Sequence, residues 1–211
     1  ICAAGFGSRL KLNIPKAMVM IDGKRIIDYL IKSLKNYEEI YVVVGFKSSL
    51  IIAHLKKYNN VKIIINDDPE LGIKHTMRLI SKEINELALI LDGDLILHNE
   101  VPLYDYEFIG IRDPLSPTAI YCKIDGTDVT SFGPINTNHE WACIYCTNPR
   151  KHDWDTDFVY ETLSKSLPKP FVRFESFEID TPEDKEEVYV WLKKFKIKNF
   201  WTTRASSEKY L

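Results

Sequence analysis

No apolar run in these 211 residues approaches the roughly 18 that a membrane-spanning helix requires. No basic block occurs either. The 28 Lys and Arg residues are scattered among 30 Asp and Glu, for a formal charge of -2, so neither a nucleic-acid nor a membrane-surface partner is expected. No second C-x-x-C accompanies Cys143-Ile-Tyr-Cys146, and the nearest histidines, His139 and His152, lie in polar loops, which argues against zinc. Cys2, Cys122, Cys143 and Cys146 therefore read as buried thiols. There is no internal repeat or low-complexity tract. No charged-then-apolar leader precedes the first strand, and an opening at Ile1 points to a few absent residues. The expectation is a soluble, cytoplasmic protein that handles small molecules.

What is present is alternation. "EIYVVVG" (39–45), "VKIIIN" (61–66) and "LALILDGD" (87–94) are short and almost continuously apolar, as strands covered on both faces must be. Between them Ile26, Ile27, Leu30, Ile31 and Leu34 fall at helical spacing, as do Leu50, Ile51, His54 and Leu55. The pattern predicts an α/β fold, a three-layer α/β/α arrangement around a mostly parallel, mixed central sheet. Beyond residue 105 the alternation loosens into expected strands at 107–112, 118–124, 141–146 and 171–180, with a helix at 155–167. Thr181-Pro182-Glu183-Asp184 signals the start of a last helix whose apolar stripe is Val188, Trp191, Leu192 and Phe195. One domain over 1–195 is expected, followed by a tail, 196–211, compatible with a homodimer contact, a fraying end or an expression remnant.

Two constellations carry chemistry. The opening "ICAAGFGSRLKLNIPKAM" places Gly5 and Gly7 at the end of the first strand, where backbone N–H groups can approach a ligand closely. It is neither a Walker A loop nor a complete dinucleotide fingerprint. Arg9 and Lys16 add a guanidinium and an ammonium, a pairing that suits a triphosphate; a tight turn with solvated charges is the alternative. The second is "LILDGDLIL", with Asp92 and Asp94 at the end of a buried strand, where paired carboxylates need a positive partner. A divalent cation such as Mg²⁺ is the natural one. Glu178 and Asp180 in "FESFEID" alternate with Ile179 and so face one side, offering further ligands; a helix-start acid is the other reading of Asp180.

Taken together, "AAGFGSRLKLNIPKAM", "LDGDLIL" and "FEID" before a helix resemble the nucleotidyltransferase family that makes nucleotide-diphosphate sugars and alcohols. The loop matches that family's A-A-G-x-G-[ST]-R signature with its downstream Pro-Lys, here Pro15-Lys16. The five residues between Arg9 and Pro15 resemble the sugar-phosphate uridylyltransferase and alcohol-phosphate cytidylyltransferase forms, and "FEIDTPED" resembles the bacterial choline-phosphate cytidylyltransferases. Residues 105–170, where the acceptor is expected, match nothing recognisable.

The resemblance implies a Rossmann-like nucleotidyltransferase fold. It also implies transfer of a nucleoside monophosphate, CMP favoured, from CTP or UTP to a phosphorylated small-molecule acceptor, with release of pyrophosphate. By similarity, Ala3, Ala4, Gly5, Gly7, Ser8, Arg9 and Lys16 bind the nucleotide, with Arg9, Lys16 and Asp94 catalytic. Asp94, Asp180 and Glu178 would hold Mg²⁺, with Asp92 orienting them, and Gly72 and Thr76 would meet the base. Trp141, Tyr145, Trp154 and Tyr160 suggest an aromatic cage for the acceptor, although most aromatics are core. Asp153, Asp155 and Asp157 in "HDWDTDF" can meet an amine or cap a helix. A sugar-1-phosphate uridylyl- or thymidylyltransferase is the alternative. A D-x-D glycosyltransferase and a catalytically silent domain are further rivals, both of which leave Arg9 and Lys16 without a purpose.

Overall fold

The computed structural model describes residues 1–115, 119–133 and 137–205, with 195–205 as backbone alone. In chain order the strands are β1 (Cys2–Ala3), β2 (Met20–Ile21), β3 (Lys24–Arg25), β4 (Ile40–Val44), β5 (Val61–Ile65), β6 (Ala88–Leu91) and β7 (Leu95–Leu97), followed by β8 (Phe108–Arg112), β9 (Tyr121–Asp125), β10 (Asp128–Gly133), β11 (Glu140–Thr147), β12 (Lys169–Arg173) and β13 (Ser176–Glu178). The helices are α1 (Ile26–Ser33), α2 (Ser48–Leu55), α3 (Gly72–Glu83), α4 (Val159–Ser164) and α5 (Pro182–Ala205).

The first half is parallel, although β5 lies at the edge of its sheet with Ile65 51% exposed, so its apolar run does not mark a strand covered on both faces. β1 pairs with β4 and β4 with β5, all parallel, with Cys2 opposite Val43 and Val43 opposite Ile64. A parallel bridge from Cys2 to Asp92 joins this sheet to a second, six-stranded one ordered β6-β11-β8-β12-β10-β9. There β8 and β12 are parallel and the other pairings antiparallel, which makes the central layer mixed. Alternation along β4 shows why three layers form. Val42 and Val44 face α1, α2 and α5 through Ile26, Leu30, Ile51 and Val188, whereas Val43 faces α3 and α4 through Met77, Ile80 and Leu163. Ile26, Ile27 and Leu30 are fully buried, each contributing about 1.5–3 kcal/mol of apolar burial.

The capping signal at the last helix is realised. Asp184 accepts from the N–H groups of Asp180 and Thr181 at 2.8 and 2.7 Å, and the Thr181 hydroxyl accepts from Asp184 N–H at 3.2 Å. Val188 is buried beneath it, while the Phe195 side chain lies outside the described residues. The backbone stays helical to Ala205, past the expected end at 195; residues 206–211 lie outside the description, as does Thr118 of the expected 118–124 strand.

Several boundaries differ from expectation. The 171–180 run divides into β12 and β13, because β12 continues β8 in one sheet while β13 crosses to pair antiparallel with β7. The helix at 155–167 contracts to α4, since "HDWDTDF" is spent on a loop that buries Trp154. "DVTSFG" forms β10, a strand its Thr and Ser had concealed. After the glycine loop comes a single 3₁₀ turn, Ser8–Leu10.

Candidate active site

The site lies at the carboxyl ends of β1 and β6. Gly7 sits at φ 61°, and a Cβ there would stand 2.6 Å from the Lys16 side chain, so only glycine lets the loop fold down over Lys16. Gly93 plays the matching part in Asp92-Gly93-Asp94: its N–H donates to Cys2 O at 2.9 Å, and a Cβ would meet that oxygen at 2.8 Å. These close approaches bring the loop, Lys16 and the two aspartates into one place.

The C-terminal acids arrive through the β7–β13 pairing, in which Glu178 stands opposite Leu95 and Ile179 N–H donates to Asp94 O at 3.0 Å. Oxygens of Asp94, Glu178 and Asp180 lie within 4.8 Å of one another. Lys16 Nζ is 2.9 Å from Asp94 Oδ2 and also ion-pairs with Asp180, while Arg9, largely exposed, reaches Asp180 Oδ2 at 2.8 Å. Burial works against the Lys16 charge, yet Asp94 and Asp180 outweigh it and hold the ammonium well above its ordinary value. Burial first, then the Asp94 charge, pushes the Glu178 carboxyl up to about 7. Asp92, buried beside Asp94, is raised well above the ordinary carboxylate range for the same reasons.

Three oxygen donors in this compass suit a hard divalent cation, and one atom gives an independent reason to place it there. Asp94 Oδ1 is buried and has no hydrogen-bond partner among the described residues. Asp92 is not one of these donors; it stands beside β1, bridged to Cys2.

A cavity of about 330 Å³ opens beside this cluster. Ala3, Ala4, Gly5, Gly7 and Lys16 form one wall, Asp92 and Asp94 the floor, and Gly72, Ile73 and Thr76 a second wall. Trp141, Phe158 and Tyr160 close it. The expected base-contacting residues and the glycine loop thus face one space, with Ser8 and Arg9 exposed at its rim.

The expected aromatic cage is only partly assembled. Tyr145 is buried in the core with its hydroxyl 3.2 Å from Met77 Sδ, and Trp154 is buried with Nε1 donating to Pro149 O. Neither lines the cavity. Phe158, 56% exposed and stacked on Tyr160 at 5.6 Å, takes their place beside Trp141. Asp155 and Asp157 are paired with Lys165 and Lys74.

Sequence reading missed Arg112, which donates to Glu178 at 2.8 Å through one nitrogen and to the buried Glu140 through another. Its signal was available: an arginine closing "FIGIR" and a glutamate opening "EWACIYC" are charges inside otherwise apolar strands.

Residues 1–102 match the family of the MobA-like NTP transferase domain. Over these residues, just under half of its length, the chain is similar to the nucleotidyltransferases. Among curated proteins, the chain is similar to the bifunctional protein GlmU of Methanococcus vannielii, 29% identical over 196 residues that cover 89% of this chain and 44% of that one. The GlmU of Fervidobacterium nodosum is 33% identical over 109 residues, covering 52% and 23%. The chain spans less than half the length of these relatives. Among solved structures, the CTP:phosphocholine cytidylyltransferase of Streptococcus pneumoniae superposes with a TM-score of 0.74 at 20% identity, covering 89% of this chain and 95% of that one. The inositol-1-phosphate CTP transferase of T. maritima gives 0.75 at 19%, covering 92% and 94%. These superpositions establish the nucleotidyltransferase fold. Among the described residues, no helix is long and apolar enough to cross a membrane.

Proposed function

We propose that this protein transfers a nucleoside monophosphate, CMP in the first instance, from a nucleoside triphosphate to a phosphorylated small molecule, releasing pyrophosphate. The observation that carries the proposal is Lys16, held between Asp94 and Asp180 under a glycine loop that opens onto the cavity. Both reactants are anions, so catalysis rests on positioning and charge neutralisation.

The backbone of Ala3 to Gly7 receives the triphosphate. Lys16, at the junction of loop and carboxylates, neutralises the α-phosphate and the incoming phosphate, and Arg9 at the rim neutralises the departing pyrophosphate. Asp94, Asp180 and Glu178 would hold Mg²⁺, which would supply further neutralisation of the phosphates when bound. Trp141, Phe158 and Tyr160 shape the acceptor end.

The activities named for the two CTP-dependent neighbours agree with a cytidylyltransferase for a phosphorylated alcohol or amine. A sugar-1-phosphate enzyme is the second reading, favoured by the fold's likeness to UDP-glucose pyrophosphorylase. A D-x-D glycosyltransferase is less well served, because Lys16 pairs with the second aspartate of that motif. We further propose one domain to about residue 195 acting in the cytoplasm; the helical continuation toward Ala205 is a candidate homodimer contact. The test is pyrophosphate release from CTP, UTP and dTTP with a panel of phosphorylated alcohols, amines and sugars. Release with a phosphorylated alcohol or amine and CTP supports the first reading, release with a sugar phosphate the second, and none with any pair refutes both.

A further inference from the structure

The wall of the cavity opposite the glycine loop has a hydrogen-bond polarity, and it is set by a residue that does not line the cavity. Asn66 follows β5, its backbone N–H donating to Val44 O at 2.8 Å, and only 2% of it is exposed. The N–H of Asp68 stands 3.0 Å from Asn66 Oδ1. A backbone N–H can only donate, so this end of the amide is its oxygen and the other end is the NH₂ group. That group lies 3.0 Å from Thr76 Oγ1, in a buried pair. It too can only donate. The Thr76 oxygen therefore accepts from Asn66, and its own hydrogen is left over.

A helical threonine often donates that hydrogen to the carbonyl four residues back, here Gly72. No such bond forms, and among the described residues Thr76 Oγ1 has Asn66 as its one partner. Thr76 lines the cavity next to Gly72, whose φ of 75° turns the chain at the start of α3 and whose missing side chain leaves that wall open. The free hydrogen has the cavity as its outlet.

We infer that Asn66 is a positioning residue for base recognition, fixing the Thr76 hydroxyl as a hydrogen-bond donor toward the nucleotide. This deepens the proposed function and rests on it. The inference bears on which pyrimidine is chosen. The O2–N3 edge of cytosine presents two adjacent acceptors, whereas that of uracil presents an acceptor and an N3–H donor. A donor fixed on the wall opposite N3 selects the first, because a buried donor facing a donor leaves both unpaired.

The test is the ratio of CTP to UTP affinity, read by titration calorimetry and thermal shift on the full chain with Mg²⁺. Thr76→Val should weaken CTP about 10- to 100-fold and narrow the ratio, while Thr76→Ser retains both. Asn66→Asp replaces the donor with an acceptor, draws the Thr76 hydrogen away from the cavity, and should weaken CTP by a similar factor. In a Thr76→Val background Asn66→Asp should leave the ratio unchanged, because it acts only through the hydroxyl. Asn66→Ser, which still offers an oxygen to Asp68 N–H, takes its place if the buried carboxylate prevents folding. Folded Asn66 variants with the wild-type ratio, or Asn66 and Thr76 effects that simply add, would overturn the inference while leaving the nucleotidyltransferase reading intact. Failure of the wild type to bind any pyrimidine nucleotide overturns both.

Discussion

Lys16 Nζ lies 2.9 Å from Asp94 Oδ2 and bridges to Asp180, so the cation proposed to meet phosphate rests on the carboxylates proposed to hold a metal. Phosphate and metal must each separate this pairing, and each therefore makes the other's task easier. Nucleotide and Mg²⁺ are expected to bind with positive coupling, equal in both directions. Calorimetric titration of Mg²⁺ with and without a non-hydrolysable triphosphate checks this; equal metal affinity in both would refute it.

Lys16→Met should reduce turnover by about 10²- to 10³-fold, the usual cost of losing one group that stabilises developing charge. It also removes the cation beside Asp94 and leaves Asp180 with only the exposed Arg9, so the metal-free variant should melt several degrees lower. Mg²⁺ should raise the melting temperature more in the variant than in the wild type, as thermal shift will show.

Asp94→Asn keeps the shape but removes a charge and a ligand. Activity should fall at least 10²-fold and the Mg²⁺-induced rise in melting temperature should vanish, with the circular dichroism spectrum unchanged. An active Asp94→Asn enzyme would remove this residue from the metal assignment.

Arg112 and Glu140 form a buried ion pair, 4% and 2% exposed in their side chains. Arg112→Met removes the charge opposite the buried Glu140 and should cost about 3–5 kcal/mol, read in urea denaturation. The same substitution frees Glu178, so metal affinity should change as well.

Asp28 accepts from Tyr58 at 2.6 Å and His54 at 2.7 Å, with Lys57 at 3.1 Å. Although burial opposes it, these partners, Tyr58 foremost, lower its carboxyl from 3.8 to about 2. A depressed carboxylate stabilises above its unfolded value and loses that contribution as pH falls through the folded one. Asp28→Asn should therefore melt below wild type at pH 6, and the gap should close between about pH 4 and pH 2.

The parallel half of the fold was legible because burial on both faces forces an unbroken apolar run, and "YVVV" and "LALIL" have little alternative use. The glycine loop was legible for a related reason, since Gly7 and Gly93 sit where any side chain would collide. The second half was not. β10 is a half-exposed strand whose polar residues imitate a loop, and β12 and β13 read as one strand because nothing local marks the change of partner at Phe174-Glu175. At the site, Asp94, Glu178 and Asp180 could be grouped by chemistry, whereas the link from Arg112 to Glu178 joins strands distant in sequence. Tyr145 and Trp154 went astray for a plain reason: an aromatic side chain that will be buried looks the same in sequence as one that lines a pocket.

The most direct measurement is the melting temperature of the purified protein with CTP, UTP, dTTP, ATP or GTP in the presence of Mg²⁺. At a hundred times its dissociation constant, a bound nucleotide adds about 2.7 kcal/mol, a shift of several degrees. A rise with CTP that exceeds the rise with UTP is expected. No rise with any triphosphate would contradict a nucleotide site at the glycine loop.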